Sequence, residues 1–223
     1  DALEGALRRN LGRIRSEGRA AKLHLALERM PAWHGVDASV LDDTTRQYRF
    51  LVAPTREVLE RAFDPSKYGE LPERPAIEFV LPSLQDPGVC APGHHVLSAV
   101  VQHVPYAPRC GNDAARARIE AAALEVLTSV APDIRDCLAA SEVLLPADLE
   151  ARFGIRGGHW HHGELAVDQY LMLRPAPGLA RYAGPLHGLW FCGAGTHPGG
   201  NVTGTPGYNA ARAIIRAGRR GVG

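Results

Sequence analysis

Hydrophobic and polar residues change their spacing several times along this chain. Leu3, Leu7, Leu11 and Ile14 recur at helical intervals in "DALEGALRRNLGRIRSEG" and predict an opening helix. The interval drops to two at "KLHLALE", residues 22–28, a strand that Met30-Pro31 ends. "QYRFLVA", 47–53, reads either as a strand or as a buried segment. "TREVLERAFD", 55–64, reads as a helix, with Thr55 supplying the cap oxygen and Glu57 in the first turn. "AIEFVLPS", 76–83, and "HHVLSAVVQHVPY", 94–106, are alternating and β-branched. The turn-forming "APGHH" between them predicts a hairpin of adjacent strands.

"NDAARARIEAAALEVLTSVAP", 112–132, is the strongest helix. Asn112 or Asp113 can cap it, Ala115, Ile119, Ala122, Ala123, Val126, Leu127 and Val130 form its stripe, and Pro132 ends it. "SEVLLP", 141–146, reads as a short strand and "PADLEARFG", 146–154, as a short helix with Pro at its start and Gly at its end. Residues 155–178 are irregular. A strand at 188–193 and a helix at 202–218 close the chain. The pattern is α+β: a mixed, largely antiparallel sheet built from 22–28, 76–82 and 95–103, with helices including 113–130 on one face. Repeated βαβ units and internal repeats are missing from the pattern.

Composition narrows the partners. The chain has 223 residues, enough for a sizeable core in one large domain or one domain plus an extension. A net charge of +1 gives no whole-protein field for nucleic acid or a membrane surface. No run approaches the ~20 apolar residues of a membrane span, and the charged opening stretch is no signal peptide. Cys90, Cys110, Cys137 and Cys192 lie far apart without C-x-x-C, which argues against a zinc ribbon or redox pair; Cys137 and Cys192 read as small core residues. A reducing, cytoplasmic setting is the expectation. Of 25 basic residues only Lys22 and Lys67 are lysines, which reads as coding bias. The chain opens on Asp1 rather than Met, and a piece of a longer protein is the expectation.

The chemistry concentrates in "GLWFCGAGTHPGGNVTGTPGYNAARAIIR", residues 188–216. Glycines 193, 195, 199, 200, 204 and 207 permit tight turning and close approach of a ligand to the backbone. The following helix, capped by Asn201 or Thr203, offers unpaired N–H groups and a positive dipole end. Gly204 and Gly207 leave its first turns without side chains that block a flat ligand. His197 can poise a proton or hold the turn. Asp168 with Gln169 can orient a substrate or a loop. "HWHH", with His159, His161 and His162, lacks the spaced partner pair of a zinc site, so no metal is expected. No G-x-S-x-G elbow is present.

The ending resembles the C-terminal flavin-binding motif of phytoene desaturase-like FAD oxidoreductases, in the branch of pyridine nucleotide-disulfide oxidoreductase domain proteins. Gly193, Gly195, His197, Pro198, Gly199, Gly200, Val202, Gly204, Gly207, Ala210 and Ala211 match its glycine-rich pattern. Upstream, "GGHWHHGELAVDQYLMLRP" matches through Gly157, Gly158, His162, Gly163, Asp168, Gln169, Arg174 and Pro175. "PAIEFVLPSLQDPGVCAPGHH" resembles the family's hairpin, so the likeness covers most of the chain.

The resemblance implies a cofactor and a division of the chain. FAD would be held by Gly193, Gly195, Thr196, Pro198, Gly199, Gly200, Asn201, Val202 and Gly204, with His197 as the catalytic candidate. His162, Asp168 and Gln169 would lie on the side of a hydrophobic small-molecule substrate. Residues 1–186 would form the substrate-binding domain and 187–223 the C-terminal segment of the FAD-binding domain. No G-x-G-x-x-G opens the chain, so an upstream Rossmann half is the implied partner. Ala194 stands where many amine-oxidase relatives carry an acid. The reaction class implied is FAD-dependent dehydrogenation or desaturation. The alternative is a non-catalytic binding or dimerisation module, or one half of a split flavoprotein. The surface facing the FAD domain, "GLWFCGAG" and "NAARAII", would then favour self-association into a homo-oligomer.

Overall fold

The computed structural model describes residues 5–43, 48–53, 55–200 and 202–219. In chain order its helices and strands are α1 (Gly5–Gly12), β1 (Ala20–Leu27), α2 (Ala38–Asp42), β2 (Phe50–Val52), α3 (Arg56–Phe63), β3 (Ile77–Val80), β4 (His95–Gln102), α4 (Asn112–Thr128), β5 (Leu138–Leu144), α5 (Pro146–Phe153) and α6 (Thr205–Arg219). The chain divides into two compact units, Gly18–Arg152 and the pair of segments Asp1–Glu17 with Phe153–Gly223.

The first unit is built on a five-stranded sheet in the order β2-β3-β4-β1-β5, every pairing antiparallel. Its α+β character agrees with the hydrophobic pattern. The hairpin expected from 76–83 and 94–106 is present as β3 beside β4, with Phe79 opposite Ala99. Alternation does the sorting. Leu23, Leu25 and Leu27 of β1 and Leu97, Ala99 and Val101 of β4 point to one face and are buried. Helix α4 lays Ala115, Ile119, Ala123, Leu124, Val126 and Leu127 into the same core. Trp33, Phe50 and Phe79 stack at the sheet's β2 end, with Phe79 centroids 5.0 Å from each neighbour.

Local rules explain several boundaries. Thr55 caps α3 by accepting from the Val58 N–H, as its sequence position predicts. Gly154 ends α5 in the left-handed region, φ +67°. Helix α4 departs from expectation. Gly111, at φ +79°, takes the cap position without a side-chain bond. Asn112 is already helical, and Asp113 pairs with Arg116 at 3.0 Å. Only a non-helical residue can cap, and glycine reaches that conformation most cheaply.

The second unit contains α1, α6 and long irregular stretches. The strand expected at 188–193 does not form. Trp190 makes an isolated bridge to Ala183, supported by Phe191 N–H to Tyr182 O at 2.8 Å and Gly184 N–H to Leu189 O at 2.7 Å. An apolar run becomes a strand only where a neighbour satisfies its backbone, and here the contact is one tight loop. Cys192 is accordingly exposed rather than a core residue, whereas Cys137 is fully buried and its thiol is pushed up by that burial. The closing helix starts at Thr205, and the Thr203 hydroxyl accepts from the Thr205 N–H at 3.3 Å. Asn201, the other cap candidate, and Leu3 of the opening stripe lie outside the described residues. No helix of the described residues is long and apolar enough to cross a membrane.

Leu25 sits fully buried at the centre of β1. Leu25→Ala should lower the stability of the sheet unit by about 2–5 kcal/mol through lost burial and an incompletely filled cavity. Ala26→Ser, on the other face, should change it by less than about 0.5 kcal/mol. Urea midpoints of the two variants check this.

Candidate functional site

The glycine-rich turn and the irregular stretch before it belong to one unit. They are tied together by Arg174, only 2% exposed. Its Nε donates to Ala194 O at 3.1 Å. One terminal nitrogen donates to Glu164 O at 3.1 Å and Gln169 O at 3.3 Å. The other donates to Gly163 O at 3.2 Å and to His161 O. A planar guanidinium is the side chain that can hold five carbonyls from three directions at once. Burial pushes its pKa down, although the group remains a cation.

Asp168 and Gln169 fix the same stretch to the segment just after α1. The Arg15 guanidinium grips both Asp168 oxygens, at 2.9 and 2.6 Å, and Glu164 at 2.9 Å. That hydrogen bonding holds the Asp168 carboxyl below its usual range and raises Arg15. Gln169, buried, reads the Arg15 backbone like a strand partner: its oxygen accepts from Arg15 N–H at 2.7 Å and its amide donates to Arg15 O at 3.0 Å. Of the two roles open for this pair, orienting a loop is the one with visible partners. Gly157, at φ +65°, lies under Ser16. A Cβ there would come within 2.1 Å of the Ser16 carbonyl oxygen, so only glycine fits.

The turn is packed at its middle glycines and open at its ends. At Gly200 a Cβ would lie 2.8 Å from His161 Nδ1, and at Gly199 (φ +127°) it would lie 3.0 Å from the Tyr170 ring. Gly195 faces His162. Gly193, Gly204 and Gly207 have open space where a Cβ would stand. Thr196 is buried, its hydroxyl donating to Gly193 O at 2.8 Å. Val202 projects fully into solvent. Pro198 follows a cis peptide bond. The Tyr182 hydroxyl donates to His197 O at 3.0 Å, while His197 Nδ1 is buried with no hydrogen-bond partner among the described residues. Asn201 lies outside the described residues.

His162 adopts φ +56° and donates its N–H to His159 O at 2.7 Å, which turns the "HWHH" stretch tightly. His159 and His161 have ring centroids 5.8 Å apart, and His161 N–H donates to His159 Nδ1 at 3.3 Å. Burial, then the neighbouring positive groups, push the pKa of both downward. Among the described residues no group of three or more His, Cys, Asp or Glu is placed to hold a metal ion.

The structure therefore gathers His162 and the turn residues Gly195, Gly199 and Gly200, and sets Asp168 and Gln169 against Arg15. Sequence reasoning assigns no role to Arg174, Arg15, Tyr170 or Tyr182. Arg174-Pro175, directly after the apolar run at 170–173 and inside the upstream motif match, is the available signal for Arg174.

Comparison with known proteins adds a name to the pattern. No family model matches the chain. It is 30% identical over 220 residues to mouse pyridine nucleotide-disulfide oxidoreductase domain-containing protein 2, a match that covers 96% of this chain and 38% of that protein. An uncharacterized protein of Mycobacterium tuberculosis is 28% identical over 214 residues, 89% of this chain and 40% of that protein. A limonene dehydrogenase subunit of Castellaniella defragrans is 36% identical over 62 residues, 28% of this chain and 11% of that protein. The chain thus spans about two fifths of the length of the relatives that match it along most of its own length.

Two outcomes follow from this geometry. Arg174→Lys leaves several buried carbonyls unpaired and should cost about 3 kcal/mol or more. Hydrogen exchange should quicken in residues 159–171 and 194–200 while β1 and β4 stay protected. The second concerns acid. Burial is the main cause lowering the pKa of His24, His95, His103, His159 and His161. Below about pH 6.5 the unfolded chain therefore binds more protons than the folded one, and stability falls as pH drops through that value. Urea midpoints between about pH 8 and about pH 5 should show the decline, and it should be shallower in His159→Gln/His161→Gln.

Proposed function

We propose that this chain is part of an FAD-dependent oxidoreductase, a dehydrogenase or desaturase, and that the turn at 193–204 with the start of α6 is its flavin-contacting element. The observation that carries the reading is the turn's uneven packing. Its middle glycines, Gly195, Gly199 and Gly200, pack against His162, Tyr170 and His161. Its later part, at Gly204 and Gly207, is open and leads into a helix N-terminus. The similarity to proteins named as oxidoreductase-domain proteins supports it.

The residues present fit such a cofactor. The α6 N-terminus places the positive end of its dipole there, its Thr205 N–H taken by Thr203 Oγ1 and Pro206 having none, and the buried Arg174 cation holds Ala194 O. Both favour negative charge at the turn. His197 Nδ1, buried and unpartnered, can hold a proton there. Thr196 and Tyr182 use their hydroxyls on Gly193 O and His197 O and so keep the turn's shape. When bound, FAD would supply hydride acceptance. Gly193, Gly195, Thr196, Pro198, Gly199, Gly200, Val202 and Gly204, with Asn201, would hold the flavin, and His162 the substrate side. Asp168 and Gln169 would act by positioning that loop.

In this reading residues 1–186 serve the substrate and 187–223 complete the FAD-binding domain, whose other half is an upstream Rossmann unit. Exposed apolar side chains support a missing neighbour. Val167, Leu171, Met172, Val202, Tyr208 and Ile215 all lie in the same unit as the turn. They equally support self-association of the chain when that half is not supplied, which light scattering reads directly.

Gly207 gives the cleanest test, because a side chain there meets nothing within the chain. Gly207→Val should leave the melting curve within about 1 kcal/mol of the parent. It should abolish flavin absorbance when the chain is purified with an upstream half and FAD. Gly200→Val should also lose flavin, but with loss of stability, since it collides with His161. Full flavin occupancy in Gly207→Val would rule out this turn as the binding element.

A further inference from the structure

The sheet has a second face. Opposite the leucines, β1 presents Lys22, His24 and Ala26, with register partners Val100, Ser98 and Val96 on β4 and Leu144, Glu142 and Ala140 on β5. Val100 and Ser98 face Glu78 and Val80 of β3. The surface is apolar at Val80, Val96, Val100 and Leu144, with a small polar centre. Within that centre the acids are occupied. Glu78 pairs with Arg49, and Glu142 pairs with Arg152 at 3.2 Å. His24 has Ser98 Oγ at 3.4 Å. Lys22, half-buried on an interior strand, has no hydrogen bond or ion pair among the described residues.

That is an unusual place to leave an ammonium. Partial burial removes its water, and Glu78, the carboxylate that attracts it, is ion-paired to Arg49, so the loss is only partly compensated. Burial first, then the Arg49 charge, push the Lys22 pKa down against a smaller upward pull from Glu78. Folding gains nothing visible from the charge. The other lysine, Lys67, is paired with Asp64 at 2.7 Å.

We infer that this outer face of the sheet binds an apolar molecule carrying a carboxylate, with the anionic end on Lys22 and the body over Val80, Val96 and Val100. The carboxylate balances the two cations, Lys22 and Arg49, that share Glu78, Ser98 and His24 lie beside it as hydrogen-bonding groups, and the valines match a hydrocarbon body. The inference rests on the reading that the sheet unit serves the substrate, and it adds an anionic group to the hydrophobic substrate expected there.

Decanoate is the probe, titrated calorimetrically into the whole chain without flavin, beside uncharged decanol. Decanoate should bind saturably, and decanol at least tenfold more weakly. Lys22→Gln should weaken decanoate tenfold or more, Lys22→Arg should retain most of the affinity, and Lys67→Gln should match the parent. Lys22→Gln should also melt at or above the parent temperature, which separates lost binding from lost folding. Equal affinity in Lys22→Gln and parent, equal affinity for decanol, or no saturable decanoate binding would overturn the site. Flavin binding is scored separately. A chain that takes flavin with its upstream half but fails here keeps the oxidoreductase reading and loses this one; the reverse result does the opposite.

Discussion

A guanidinium with no carboxylate partner organises the unit that carries the candidate site. Arg174 is buried among backbone carbonyls of His161, Gly163, Glu164, Gln169 and Ala194. Each of those carbonyls lies in irregular chain, where no ladder would satisfy it. Glu164 O also accepts from Gln169 Nε2 at 3.4 Å, and the other four have no second donor among the described residues. The same five bonds that neutralise the burial of the cation fix the "HWHH" stretch, the Asp168–Gln169 turn and the glycine-rich turn in one arrangement. Arg15 repeats the device closer to the surface, its side chain on two carboxylates and its backbone on Gln169. This unit is held by polar groups reading backbone. The extended apolar core of the molecule, by contrast, belongs wholly to the sheet unit.

That difference decides what is legible in the sequence. Period-two and period-3.6 patterns report burial of one face, so β1, β3, β4, α3 and α4 can be read from Leu23, Leu25, Phe79, Leu97 and Ile119. Short β2 is readable only as an open choice. Where no face is buried the pattern says little. Trp190 and Phe191 look like a strand because they are apolar, but a strand also needs a partner backbone, and sequence does not show one. The cap of α4 falls on Asn112 or Asp113 in sequence because side-chain caps are visible there, whereas Gly111 works through φ alone. The glycine turn stands out by composition, and its likeness to a flavin-binding ending gives it a meaning. Its depth does not stand out: that Gly199 rests on Tyr170 and Gly200 on His161 depends on residues about thirty or more positions away.

The two cations of greatest interest separate by how their burial is compensated. At Arg174 every donor has a carbonyl inside the same unit, so the charge is explained by structure. At position 174 a lysine, with three donors on one nitrogen, could not span the same carbonyls, so the general preference of this chain for arginine and the demand of the site coincide. At Lys22 the two nearby carboxylates already have arginine partners, and the ammonium is left half-desolvated on an interior strand. A compensated buried cation holds a fold together. An under-compensated one lowers stability unless something outside the chain completes it. As proposed sites, the outer sheet face and the glycine turn differ in kind. The turn is shaped by Arg174, packed at Gly199 and Gly200 and open at Gly204 and Gly207. The sheet face sets Lys22 and Arg49 against the shared carboxylate of Glu78, and the ligand proposed there would answer that excess of positive charge.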